Sequence, residues 1–394
     1  MDRARFSRDA LCGDAIARTG LDDFGDGVDD WQACLDALVA STLDEAHLRD
    51  LAAFRAFVLH HLCNRLRIQD CLARFPAVLE TSVPRPLFIS GLPRAGTTTF
   101  SRLLGEDPRI RTLRLWELHA PAPSDLAHPW ALTEDRIAAA EQLVLARARQ
   151  GTLAIRPISI FLPDECFYLM RNSFDSDHLH RADARRPSYF HWLDRRDRAG
   201  TYAYYRRQIQ LLLWQRRCPA DGHVVLKNPF VHLENMRTIF RLFPDATLVN
   251  LTRDLASVVV SLCFKNRADR AARSDQVRAE DVGADMVENL DVYYRRRAAE
   301  LDALTPAQRA RVVTIDFAAW SRDPVAIMRR VYARTGQVFD DALAAAMAGA
   351  LGKHARYGEQ GSYDLAEFGL RAEALRERFE PHEAAFRARV EVIA

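Results

Sequence analysis

The residues best placed to do chemistry lie between a short apolar run, LFISG (Leu87 to Gly91), and a helical pattern that starts at Thr97 and carries Phe100, Leu103 and Leu104. The connecting segment, GLPRAGTT from Gly91 to Thr98, forms a strand–glycine loop–helix junction. Glycines let such a loop turn tightly, and the free N–H groups at the helix start bind anions. Its G-x-x-x-x-G spacing fits a nucleoside-triphosphate loop, but Thr97-Thr98 stand where Lys-Ser/Thr is required. Asp316, at the end of VVTIDF, is only a weak match for a magnesium partner. The cation sits inside the loop instead, at Arg94.

A second anion site is legible further on. Arg253 closes the apolar run TLVNLTR, Asp254 can cap the helix that follows, and Ser257 and Ser261 share one face of it. A guanidinium fork with a nearby hydroxyl suits a dianionic phosphate. Only three of the 55 basic residues are lysines, and one of them, Lys227, lies in the run VVLKN. Glu117 in LWELH and His119 beside it are candidate proton carriers, Glu165 in PDECFYLM sits in an aromatic context that suits an acceptor-pocket or supporting role, and His232, near the start of a helix, reads as packing. Each feature also has an ordinary reading: a Gly/Pro turn, a surface arginine with a packing serine, a helix-end carboxylate.

The elements that must hold these groups follow from hydrophobic period. Residues 31 to 76 read as helical, through Leu35, Leu38, Val39, Leu51, Phe54, Val58 and Leu62. The turn-rich TSVPRP (Thr81 to Pro86) marks a boundary. Runs at 87–91, 224–228, 247–253 and 312–317 then alternate with helical patterns, which predicts a parallel sheet covered on both faces. The fold class is therefore α/β, with a helical extension over residues 1–80 and the main domain over 81–394. Within that domain, residues 119–222 read as a helical, aromatic-rich insertion, from Trp130 to Trp214, that would form the acceptor side.

Composition bounds the rest. The 394 residues are 48% hydrophobic and 27% charged, the proportions of a globular enzyme. Basic and acidic residues number 55 and 53 and are interleaved, which leaves no footprint for nucleic acid. Seven scattered cysteines without a C-x-x-C pair suit a reducing compartment and offer no zinc framework. No signal peptide and no run of 18 apolar residues is present, so a cytoplasmic protein is expected.

GLPRAGTT resembles the 5′-phosphosulfate loop of sulfotransferases that use 3′-phosphoadenosine 5′-phosphosulfate (PAPS), in which a Pro-Lys/Arg-Ser/Ala-Gly-Thr-Thr segment wraps the phosphosulfate. TRDLASVVVS resembles their 3′-phosphate motif, Arg-Asp followed by a serine eight residues after the arginine. LKNPFVHLENMRTIFRLFPDATLVNLTRD, LRLWEL, SRDPVAIMRRVYARTG and SYDLAEFGL resemble further segments of the bacterial branch, so the likeness spans about Arg85 to Phe379. It implies a P-loop-like sulfotransferase fold and PAPS as co-substrate, with no metal. Arg94, Ala95, Gly96, Thr97 and Thr98 would bind the 5′ side, and Arg253 and Ser261 the 3′ side. Lys227 and Arg94 would supply catalytic charge.

Cytosolic relatives carry a histidine two residues after the lysine, and Pro229 stands there in this chain. Relatives acting on glycans, trehalose and tyrosyl proteins use a glutamate after the loop helix, which assigns Glu117 as general base with His119 as the other candidate. The tryptophan that stacks on adenine in cytosolic relatives is Thr99 here, and GKHARYGEQGSY, with Lys353 or Arg356, would replace their late 3′-phosphate motif. The expected reaction is sulfuryl transfer to a hydroxyl of a small-molecule, lipid or glycan acceptor. A small-molecule kinase and a non-catalytic nucleotide-binding protein on the same fold are the alternatives. The acceptor and the oligomeric state are not readable from these residues.

Overall fold

The computed structural model describes residues 3–128, 133–151, 153, 158–219, 221–354 and 364–394. Trp130, Arg356, Ser362 and Tyr363, and the side chain of Lys353, fall outside that description. The chain divides into two compact units, one of Met1–Val83, Leu113–Arg217 and Lys265–Val277, the other of Pro84–Thr112, Cys218–Phe264 and Arg278–Ala394.

The second unit is built on one sheet. Its strands are β1 (Leu87–Gly91), β2 (Ile110–Thr112), β3 (His223–Lys227), β4 (Thr247–Thr252), β5 (Val312–Asp316) and β6 (Glu391–Ile393). They run in the order β2-β3-β1-β4-β5-β6, and every pairing is parallel. β1 lies inside the sheet with all five residues buried, as continuous apolar strands do when helices cover both faces. Leu87, Ile89, Val225, Val249 and Ile315 pack with Phe100, Leu103, Trp320 and Met328 in one core. Register places Gly91 opposite Leu251, and Thr252 opposite Asp316, so the strands end level along a crest. In open parallel sheets that crest is where ligands bind.

The helix Pro324–Thr335 shows how local sequence fixes an element. Asp323 accepts a hydrogen bond from the Ala326 N–H at 2.9 Å, proline occupies the first turn, and Gly336 ends the helix with φ 72°.

The first unit is helical. The segment read as helical from Trp31 onward is two helices, Trp31–Glu45 and Leu51–Arg74, the second capped by Asp50 through the Ala53 N–H at 2.8 Å. Trp31, Leu35, Val58 and Leu62 share a core with Phe174, Leu179 and Tyr189, so residues from both the N-terminal stretch and the aromatic-rich stretch fill it. Within that unit Arg65 pairs with Asp29 at 2.6 Å, both fully buried, and its guanidinium lies 4.3 Å from the Tyr204 ring centre. Among the described residues no helix is long and apolar enough to cross a membrane.

Candidate functional site

The loop leaving β1 has a backbone that few residues tolerate. Gly91 has φ 111°, and a Cβ there would stand 2.4 Å from the Leu251 carbonyl oxygen. Gly96 has φ 87° and precedes the helix Thr97–Leu104, whose N–H groups face the loop. Arg94, between them, is left-handed at φ 70° without the excuse of being glycine. Strain of this kind persists only where the surroundings hold it.

Those surroundings are the residues expected from sequence. Arg94 Nε donates to Ser261 Oγ at 3.1 Å, and Arg253 Nη1 donates to the Arg94 carbonyl at 3.1 Å. Lys227, buried at the end of β3, donates from Nζ to Thr98 Oγ1 at 3.2 Å. Lys227, Arg253 and Ser261, from three different elements, thus meet the loop at Thr98 and Arg94. Asp254 accepts from the Ser257 N–H at 2.8 Å and from its hydroxyl at 2.7 Å, which caps the start of the helix Leu255–Ala271.

Asp316 serves the scaffold, since it accepts from the Ala318 N–H at 2.8 Å and pairs with Arg387 at 3.0 Å. His232 is fully buried edge-on against Phe88. Among the described residues no group of three or more histidine, cysteine or acidic side chains could hold a metal ion.

Two features of the site carried no sequence signal. Phe317, just after β5, lies under the Arg253 guanidinium at 4.5 Å, and a Cβ on Gly96 would come within 3.0 Å of the same ring. Beside it opens a cavity of about 720 Å³, lined among others by Thr252, Arg253, Tyr293, Tyr294, Phe317 and Glu383. Two acceptor oxygens from this lining, Asn250 Oδ1 and Glu383 Oε1, are buried with no hydrogen-bond donor among the described residues.

The proposed proton carriers belong to the first unit. Glu117 is buried and its Oε2 accepts from the Arg114 N–H at 2.8 Å, at the start of the helix Leu115–His119. Arg216 stands 3.5 Å from the same oxygen. His119 stacks on His60 with ring centres 4.1 Å apart, and its Nδ1 is buried without a partner. Burial, reinforced by His60, His61 and Arg171, pushes its imidazole well below the usual histidine value. Glu165 follows Asp164, whose carboxylate accepts the Glu165 N–H at 2.6 Å.

The sequence profile of the sulfotransferase family matches residues 86–341. The chain belongs to the sulfotransferase family. The fold agrees: STF1, a sulfotransferase from Mycobacterium tuberculosis H37Rv, superposes with a TM-score of 0.79 at 28% identity, over 95% of this chain and 98% of that one. STF9, a sulfotransferase from Mycobacterium avium, gives the same TM-score at 23% identity, over 99% of this chain and 98% of that one. No curated protein matches. The sheet and its flanking helices are therefore those of a sulfotransferase.

Proposed function

We propose that this sulfotransferase takes PAPS as donor and moves its sulfuryl group to a hydroxyl on a small-molecule, lipid or glycan acceptor in a reducing, cytoplasmic setting. One observation carries the reading: Arg94, Lys227, Arg253 and Ser261 converge on a loop whose N–H groups open a helix. The loop and Arg94 would receive the phosphosulfate, and Arg253 with Ser261 the 3′-phosphate. The cavity beside Arg253, with two tyrosine rings and two acceptor oxygens that lack a donor among the described residues, supports placing the nucleoside there. None of these roles calls for a metal ion.

The chemistry asks for positive charge on the leaving phosphate as the S–O bond breaks, and Lys227 and Arg94 are cations held at the loop. Glu117 would take the acceptor proton. Its Oε2 accepts the Arg114 N–H and stands 3.5 Å from Arg216, contacts that fix where the carboxylate sits. His119 is the rival: its imidazole is neutral, as a base requires, while burial weakens it as a proton acceptor.

Isothermal titration with 3′-phosphoadenosine 5′-phosphate against ADP tests the donor. The bisphosphate must bind more tightly by the worth of a charge-assisted contact, about 1.5–3 kcal/mol or roughly ten- to hundred-fold. Equal affinity for the two nucleotides removes the reading. Magnesium-dependent ATP turnover would replace it with a kinase.

A further inference from the structure

We infer that Phe317 is a positioning residue for the phosphate loop, acting through Arg253, so that the two anion sites are mechanically one. Three contacts form a chain. The Phe317 ring supports the Arg253 guanidinium at 4.5 Å, Arg253 Nη1 holds the Arg94 carbonyl at 3.1 Å, and Arg94 Nε reaches Ser261 Oγ at 3.1 Å. The residue gripped from both sides is the one non-glycine in the loop with a left-handed backbone, φ 70°. The same ring stands beside Gly96, where an added Cβ would approach it to 3.0 Å, and leucine at position 317 keeps an apolar group on that side. Phe317 is itself fixed from below, because Asp316 caps its helix and is tied to Arg387.

A guanidinium has enough donors to hold a carbonyl and a phosphate together, which a lysine lacks the geometry to do. Arg253 therefore braces the loop even when no 3′-phosphate is present. Removing it loosens the grip on the 5′ side of any nucleotide, and removing the ring beneath it does the same. The expectation differs from that of a simple 3′-phosphate clamp, whose loss would leave ADP untouched.

The part concerning nucleotide affinity rests on the donor reading above; the brace does not. The first readout is hydrogen exchange in the ligand-free protein. Amides of residues 91–98 exchange about three- to thirty-fold faster in Phe317→Leu and in Arg253→Ala, the span expected for losing a cation–π contact. The Arg253→Ala/Phe317→Leu double variant is no faster than Arg253→Ala alone, and Phe317→Tyr, which keeps the ring face, restores protection. The second readout is ADP affinity, which falls several-fold in both single variants and not further in the double. Unchanged exchange in the single variants, or additive effects in the double, overturns the inference. A Phe317→Leu cost on ADP that persists in the Arg253→Ala background shows the ring touching nucleotide directly and also overturns it. If the wild-type protein binds no adenine nucleotide, the donor reading fails while the exchange data still decide the brace.

Discussion

Acidification from pH 7 to pH 5 should destabilise this protein markedly, and the reason is histidine rather than carboxylate. His61, His180, His223 and His232 are at most 3% exposed. Burial is the first cause that lowers each of them, to about 4 for His223, to about 3 for His232, and well below the usual value for His61 and His180. The folded form keeps these rings neutral, whereas the unfolded chain protonates them near 6.5. More protons bind to the unfolded state throughout the window between the two values, so stability is lost as pH falls below 6.5. From pH 7 to pH 5 one such ring costs about 2 kcal/mol, and the four together about 8 kcal/mol. That is comparable with the whole stability of a typical domain, about 5–15 kcal/mol. Carboxylates do not confuse the interval: Asp177 and Asp269 are lowered in the folded state, so their contribution is lost only below the usual carboxylate range. Urea unfolding followed by tryptophan fluorescence at pH 7, 6 and 5 measures the effect. A midpoint that is level or rises over that range would refute the reasoning.

Other outcomes bear on the site itself. Gly91→Ala should destabilise by about 2–6 kcal/mol, combining a forbidden backbone with a Cβ pressed on the Leu251 carbonyl; an unchanged urea midpoint speaks against it. Lys227→Ala should cut turnover about 10²- to 10³-fold while bisphosphate affinity moves much less, read as product nucleotide released in the presence of an alcohol panel. Glu117→Gln should lower turnover at least 10²-fold yet leave the melting temperature nearly unchanged, because glutamine still accepts the Arg114 N–H. If His119→Asn produces that loss and Glu117→Gln does not, the imidazole is the base.

The central sheet was legible because its inner strands are long enough to pattern. The runs at 87–91, 224–228, 247–253 and 312–317 each show an apolar stretch before a helix, and each contains most of an observed strand. β2 and β6, three residues each, are too short for a period to show and were missed. Helix ends written in local chemistry, such as Asp323-Pro324 and Gly336, read directly. The contacts among Arg94, Arg253 and Ser261 were foreshadowed by motif spacing, but not that Arg253 would hold a carbonyl. Phe317 could not be singled out, since its role depends on an arginine reached only across the fold. Nor could the stack of His60 on His119, or the hydrogen bond from the Arg114 N–H to Glu117.

The brevity of the two outermost strands has its own consequence. Each margin of the sheet, β2 and β6, offers only three residues of open main chain. Foreign strands need longer uncovered ladders than that to dock and propagate. A wide parallel array, which folds slowly and is exposed while it does so, thus meets its neighbours in a crowded solution with little backbone on which polymers could start.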